Sequence, residues 1–399
     1  MMKPVGIYVT LVLALMLVLM SSTAAKEADP GSVQDRLPLA AGICINKARN
    51  LFQCHQVHKA IDLLETCISK GEKDSRHYYP YFVLGNYYLT LADGKDQLNN
   101  SRTVTQRAAS CYQESVNLNP LFSPGWLNLA KCQYETQAFA GAAASFEQGY
   151  NTSRTPKSVH LYSAAVCHFK AKDFKKARDV FVRLMAAHPE AMSFSYKETF
   201  VHILFSLESY RQALPYIEEL AKESRIEKKK QWEQILLQQY LFLKMDQKAL
   251  AYAEFLVQTD TLEPRWWKAL SHIYLSNDHI RQGLSALIIY GYLTPMTGEE
   301  RLLAGDLYFS LDIPATAARF YETAAKETPT PEFILKISQA FAMAHDPEKA
   351  LAWIEKGLSR GQDKGLHKLK AYVLSVQEES KKAAGIFEQL ETVKKTGKR

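Results

Sequence analysis

Along most of the chain a small residue is followed four positions later by a large apolar one. The pairs are Ala60/Leu64, Ala108/Tyr112, Ala142/Phe146, Ala177/Phe181, Ala213/Ile217, Ala249/Ala253, Gly283/Leu287, Ala317/Tyr321, Ala350/Ile354 and Ala383/Phe387. From Ala108 onward the small residues recur every 33 to 36 positions, and only the first step is longer. A fixed period of that length marks a repeat architecture. Upstream of each small residue lies a second apolar pattern, such as Trp126 with Leu129-Ala130, Leu161 with Ala164-Ala165 and His168, or Trp267 with Leu270-Ser271 and Tyr274. Spacings of three and four put these side chains on one helical face. Each unit is therefore read as two amphipathic helices. Its paired small residues, such as Ala165 and Ala177, sit where the helices cross, and its large residues fill the gap to the next unit. Pro120, Pro189, Pro295 and Pro329 follow units, where proline stops a helix.

These features resemble the tetratricopeptide family, whose motif is W-x2-L-G-x2-Y, then A-x3-F, then A, then P, on 34 residues. The stretch from Pro264 to Pro295 keeps Trp267, Leu270, Ser271, Tyr274, Gly283, Leu287 and Tyr290. The resemblance implies an all-α solenoid, a superhelix of about ten helix-turn-helix repeats over residues 41–397. The units are expected at 41–74, 78–122, 123–156, 158–191, 194–227, 230–263, 264–297, 298–331, 331–364 and 364–397, the first, fifth, sixth and last being degenerate. A finer likeness covers residues 264–331. Trp266-Trp267 to Tyr274, then Tyr290-Gly291-Tyr292-Leu293-Thr294 and Ile313-Pro314-Ala315-Thr316-Ala317-Ala318, is similar to repeats of bacterial tetratricopeptide proteins described as components of TonB systems. It departs from them at Arg281-Gln282-Gly283-Leu284.

Two places interrupt the period. Between Gly85 and Ala108 there are about eleven extra residues, read as a lengthened turn in the second unit near 92–105; it is either a tolerated insertion or a binding loop. The charged stretch Glu223 to Lys230 reads as a solvated helix end in preference to a hinge.

The N-terminus reads as an export signal over residues 1–25. Lys3 is followed by an apolar run from Val5 to Met20, and then by Ser21-Ser22-Thr23-Ala24-Ala25, with cleavage expected before Lys26. An uncleaved anchor is the alternative. Residues 26–40, with Asp29-Pro30-Gly31, read as a flexible linker. The mature protein is then expected to be exported, and periplasmic in a Gram-negative host.

Composition narrows the function. The net charge of +7 is spread along the chain without the basic stripe of a nucleic-acid binder, and the Lys394–Arg399 tail reads as a solvated terminus. No Walker loop, G-x-G-x-x-G or H-E-x-x-H is present. The string Gly357-Leu358-Ser359-Arg360-Gly361 matches a nucleophile elbow but falls at the end of a second helix, where glycine is an ordinary cap. Cys54-His55-x-x-His58 lacks the further ligands of a metal site. Asn99-Asn100-Ser101 and Asn151-Thr152-Ser153 match the glycosylation sequon, of consequence only in a eukaryotic secretory host. No enzyme activity, cofactor, metal or small-molecule substrate is expected. The six cysteines lie before residue 168 and suit an oxidising compartment. Register places Cys44 opposite Cys67 and Cys111 opposite Cys132 as disulfide candidates, against the alternative of small buried apolar residues.

In the family the second, fifth, ninth, twelfth and thirteenth positions of a unit face the inner groove. Carried onto this chain, they give Tyr79, Phe82 and Asn86; Lys131 and Tyr134; Tyr162 and Phe169; Glu198, His202 and Phe205; Gln234 and Gln238; Lys268 and His272. Aromatic rings and hydrogen-bonding groups suit an extended peptide or a helix. The family's carboxylate clamp is not intact. Asn86 and Asn128 match its asparagines, but Phe82, Val159 and Ser163 stand at its basic positions. The resemblance implies an adaptor for proteins or peptides, with TonB/ExbB/ExbD-type envelope components as partners. An adaptor in pilus, secretion or cell-wall assembly is the alternative.

Overall fold

The computed structural model describes residues 36–70, 76–92, 101–223, 226–325, 329–361, 363–378 and 381. The signal segment, most of the linker and the Ala383/Phe387 pair lie outside these. Within them the chain forms consecutive helical hairpins and no strand. They are α1 (Leu39–Gln53) with α2 (Val57–Lys70), α3 (Tyr78–Ala92) with α4 (Ser101–Leu118), α5 (Ser123–Glu135) with α6 (Phe139–Asn151), and α7 (Ser158–Lys170) with α8 (Phe174–Ala187). There follow α9 (Phe194–Ser206) with α10 (Tyr210–Glu223), α11 (Ile226–Phe242) with α12 (Asp246–Thr259), and α13 (Pro264–Ser276) with α14 (Ile280–Leu293). The last are α15 (Gly298–Ser310) with α16 (Pro314–Ala324), α17 (Pro331–Met343) with α18 (Pro347–Leu358), and a final helix α19 (364–378). Two compact units are distinguished, one up to Trp232 and one from Glu233.

From α1 to α10, and again from α12 to α18, each helix packs on the helices before and after it in the chain, so a second helix covers both its own first helix and that of the next hairpin. The small residues of the repeat pattern make this possible. Ala60, Ala108, Ala142, Ala177, Ala213, Ala249, Ala317 and Ala350 are all 0% exposed. A methyl side chain lets two helices approach at the short end of the 8–10 Å range, and a larger one would force them apart. The large partner four residues on is buried as well. Tyr112, Phe181 and Ile217 are at 0%, and Tyr321 is at 1%. Trp126 and Trp267, the aromatic anchors of the motif, donate their indole N–H to the carbonyls of Pro120 (2.8 Å) and Thr261 (2.7 Å), fastening the preceding loop to the helix.

The turns within the hairpins were not legible in the sequence. Each of eight contains a non-glycine residue at positive φ: His55, Gln137, Lys172, Glu208, Lys244, Asp278, Asp312 and His345, at 54–66°. The hydrogen bonds around them form one pattern. At Lys172, its own N–H donates to the Phe169 carbonyl (3.0 Å), and the Asp173 N–H to the His168 carbonyl (2.9 Å). This is a Schellman cap, which satisfies two orphan carbonyls at the helix end. Left-handed backbone costs an L-residue roughly 1–2 kcal/mol. An aromatic clasp offsets part of it in three hairpins: Tyr134 on Phe139, Phe169 on Phe174 and Phe205 on Tyr210, each with centroids 5.5 Å apart. Such pairs contribute about 0.5–1.5 kcal/mol beyond their burial.

Three sequence expectations change in detail. The linker ends earlier than residue 40, because α1 already begins at Leu39. The extra residues of the second hairpin do not all form a turn, since Ser101–Thr105 open α4, which at 18 residues is longer than the other second helices. The charged stretch is not merely solvated, since Lys228 donates to both Glu198 carboxylate oxygens (2.9 and 3.1 Å).

Of the two cysteine pairings, Cys44–Cys67 is a disulfide with a Cα separation of 6.6 Å, tying α1 to α2. Cys111–Cys132 does not form, and both are free thiols, as are Cys54 and Cys167. Cys111, Cys132 and Cys167 act as small apolar residues. Burial pushes each thiol up to about 12, with Glu65 adding to the effect at Cys111.

Replacing Lys172 with Gly removes the left-handed penalty and adds back the glycine entropy cost, for a net gain of about 0.5–1 kcal/mol in urea unfolding. A loss of stability would show that Lys172 is not strained. Alkylation of the native, unreduced protein at pH 8 should label Cys54 rapidly, and Cys111, Cys132 and Cys167 only after unfolding, as read by peptide mass spectrometry.

Candidate functional site

The first helices of successive hairpins lie side by side, and polar links join them. Asn86, ninth residue of α3, accepts from the Tyr112 hydroxyl (2.7 Å) and from the Asn128 side-chain amide of α5 (3.1 Å). In the second unit Asp306, ninth residue of α15, accepts from the Tyr321 hydroxyl (2.6 Å) and from Lys336 of α17 (2.8 Å). The two arrangements are one motif. The ninth residue of a first helix is the acceptor, the tyrosine of the small-x3-large pair reaches it from the second helix, and the sixth residue of the next first helix completes it. The glycine before each acceptor admits the ring. A Cβ on Gly85 would lie 2.7 Å from Tyr112, and one on Gly305 2.6 Å from Tyr321, closer than real Cβ contacts occur. Other links join neighbouring first helices with no fixed order of donor and acceptor: Tyr162 with Thr199 (2.9 Å) between α7 and α9, Lys268 of α13 donating to Glu300 of α15 (2.6 Å), and Arg265 of α13 donating to Gln234 of α11 (3.2 Å).

The residues expected to line a groove divide by what this packing consumes. Phe82 is a core residue, 4% exposed and edge-on to Phe122 at 4.9 Å. Tyr162 is likewise 5% exposed and stacked on Tyr196 at 3.9 Å. Their assignment to an open groove is corrected. Both face the seam between neighbouring hairpins, where burying a ring outweighs displaying it. Asn86 is spent on the link to Asn128, and Lys268 on Glu300, with its ammonium also 5.5 Å from the Tyr290 ring. His202 is half-buried beside Glu198 and Lys228; burial lowers its pKa, Glu198 raises it and Lys228 lowers it. Tyr79 is half-buried against Phe82 (6.1 Å). Tyr134, Phe169 and Phe205 are half-buried, with one side on their clasp partners. Lys131 is half-buried, and Gln238 and His272 are exposed.

Sequence reasoning missed Thr199, Asp306, Lys336 and Lys170. The repeat register held the signal for Asp306, because it occupies the ninth position already assigned to Asn86. Lys170 lies 5.3 Å from the Tyr134 ring and 5.4 Å from that of Phe139, a contact between neighbouring repeats that no local spacing reveals.

The alternative chemistries find no assembled site. Cys54 and His55 form the turn after α1, and among the described residues no three His, Cys, Asp or Glu side chains converge on a metal position. Ser359 caps α18 and donates its hydroxyl to the Lys356 carbonyl (2.9 Å). Asn151 is the last residue of α6 and accepts from Arg183, and Asn99 lies outside the described residues. Among the described residues no helix is long and apolar enough to cross a membrane.

The class of protein follows from these hairpins: an α-solenoid of tetratricopeptide-type repeats. No family model and no curated protein sequence matches the chain. Among solved structures, Naa15/Naa10 bound to HypK-THB matches at 15% identity and a TM-score of 0.45, over 88% of this chain and 58% of that one. The C-terminal part of a tetratricopeptide repeat-containing protein from Cytophaga hutchinsonii matches at 15% identity and 0.39, over 61% and 98%. A tetratricopeptide repeat protein from Parabacteroides merdae matches at 10% and 0.34, over 77% and 100%. This chain thus spans little more than half the length of the Naa15/Naa10 chain it resembles.

The acceptor motif is testable by urea unfolding. Tyr321→Phe is expected to cost about 1 kcal/mol through the lost hydroxyl bond. Gly305→Ala is expected to cost about 1–3 kcal/mol, because the ring has no room to yield. An Ala variant as stable as the parent would contradict the close approach.

Proposed function

We propose that this protein is an exported, non-catalytic adaptor that holds polypeptide partners on the first-helix face of its repeats, within a TonB-type energy-transducing system of a cell envelope. The observation that carries the reading is the division of that face. Phe82, Tyr162 and Asn86 are consumed by packing, while Lys131, Tyr134, Phe169 and His272 keep surface. Rings with few rotors beside polar groups are what an extended segment or a helix docks on. Export is supported by the Cys44–Cys67 bridge, since disulfides persist in oxidising compartments, and by the signal-like N-terminus. The TonB assignment rests on the likeness of residues 264–331 alone, with TonB/ExbB/ExbD-type components as the partners it implies.

Photo-cross-linkers placed at Tyr134 and His272 should capture partners from envelope fractions, and one at Val182, exposed on the second helix α8, should not. Recovery of an inner-membrane transducer or outer-membrane receptor is the expected result. Capture of pilus, secretion or cell-wall assembly proteins alone would replace the TonB pairing. Equal capture from Val182 would overturn the assignment of the face. N-terminal sequencing of the exported protein should begin at Lys26, and an uncleaved chain would mean an anchor.

A further inference from the structure

The acceptor motif that joins α3 to α5 and α15 to α17 is inverted at α5 and α7. The ninth residue of α5 is not an acceptor but Lys131. The second-helix residue that should reach it is Phe146, which has no hydroxyl, in place of Tyr112 or Tyr321. The sixth residue of α7 is Ser163, where its counterparts are Asn128 and Lys336. The position therefore presents a cation where the equivalent positions collect donors, and no described carboxylate pairs with Lys131. Further positive charge surrounds it. Lys157, which precedes α7, supplies it; His160, in the first turn of α7, adds a neutral imidazole whose buried Nδ1 has no hydrogen-bond partner. The imidazole is pushed down to about 4, by burial first and then by Lys157 and Lys131. At the other end of α7, Lys170 lies over the Tyr134 and Phe139 rings, and its contacts there are aromatic, not acidic. The carboxylates on the adjoining elements are engaged elsewhere. Glu147 pairs with His168 (2.9 Å), and Asp173 accepts from the Lys176 N–H (3.2 Å).

We infer that the α5–α7 face binds an extended acidic segment of a partner protein, with one side-chain carboxylate beside Lys131 and His160 and a second beside Lys170, and the intervening chain against Tyr134. The inference rests on the protein-binding reading of this face and names the chemistry of its partner. The spacing follows from helix geometry. Ten residues of α7 separate His160 from Lys170, which is about 15 Å at 1.5 Å per residue. An extended chain covers that in about four or five residues. A free C-terminus offers one anionic point and cannot satisfy both ends, so the ligand is an internal segment with two acidic residues four positions apart, the even spacing that puts both on one side of an extended chain. A cation half-withdrawn from water loses less hydration on pairing than an exposed one and is screened less by salt, so the pair is stronger than a surface ion pair.

The test uses the full exported chain and fluorescein-labelled, C-terminally amidated nonapeptides. One carries two Glu four positions apart on a Gly/Ser/Leu background, one has both replaced by Gln, and one is the Gln peptide with a free C-terminus. Fluorescence anisotropy should show the Glu peptide binding at least tenfold more tightly than either Gln peptide. Lys131→Gln and Lys170→Gln should each weaken it at least fivefold, and Lys131→Glu should shift preference to a peptide with Lys in place of Glu. Circular dichroism checks that the variants fold, and Lys175→Gln on exposed α8 serves as the control that changes nothing. Equal binding of the Glu and Gln peptides, a preference for the free C-terminus, or indifference to Lys131 and Lys170 would each overturn the inference. If those results accompanied partner capture at Tyr134 in the cross-linking experiment, the adaptor reading would stand with a partner of different chemistry. If the cross-linker also captured nothing, both would fall together.

Discussion

Close approach of helices at small residues is the constraint on which the structure depends. A two-helix hairpin with an alanine at its crossing buries that alanine completely but leaves the far flank of its second helix apolar. Only the first helix of the next hairpin covers it, and Phe181, packed on Phe200 of the following hairpin at 4.7 Å, shows how. Stability is thus shared between neighbours, and a hairpin has meaning only in its row. The same closeness sets the polar chemistry. Because Gly85 and Gly305 admit tyrosine rings, the hydroxyls of Tyr112 and Tyr321 reach across to Asn86 and Asp306, and those acceptors are then available to the next first helix.

The turns add a second constraint with the opposite sign. Eight tight turns use left-handed backbone without a glycine, so each hairpin carries a local cost. The Schellman hydrogen bonds and the three aromatic clasps offset it, and they use rings that the repeat pattern alone assigns to a binding groove. Tyr134, Phe169 and Phe205 therefore serve two purposes, one face against the turn and the other toward the first-helix surface. This is why the aromatic content of the face overstates the ring surface that the packing leaves exposed.

The helical hairpins and their order were legible in the chain because the small-x3-large spacing reports helix crossing directly, whatever surrounds it. The disulfide between Cys44 and Cys67 was legible for the same reason, since helical register fixes which residues face each other within one hairpin. The Cys111–Cys132 pairing was not, because it spans two hairpins, and buried thiols and bridged ones have the same pattern. Phe82 and Tyr162 were misplaced on a similar ground: a position on the inner face and a position in the seam differ by a fraction of a helical turn, which spacing cannot resolve.

By itself, then, the sequence determined the all-helical repeat and the bridge of the first hairpin, because these follow from periodicity within a single chain segment. Tertiary structure alone decided which polar and aromatic side chains of the first-helix face are spent on neighbours and which remain, and the inversion of the acceptor motif at Lys131. Those depend on distances between residues about 20 to 40 positions apart, where a shift of an ångström separates a satisfied hydrogen bond from an unmatched charge.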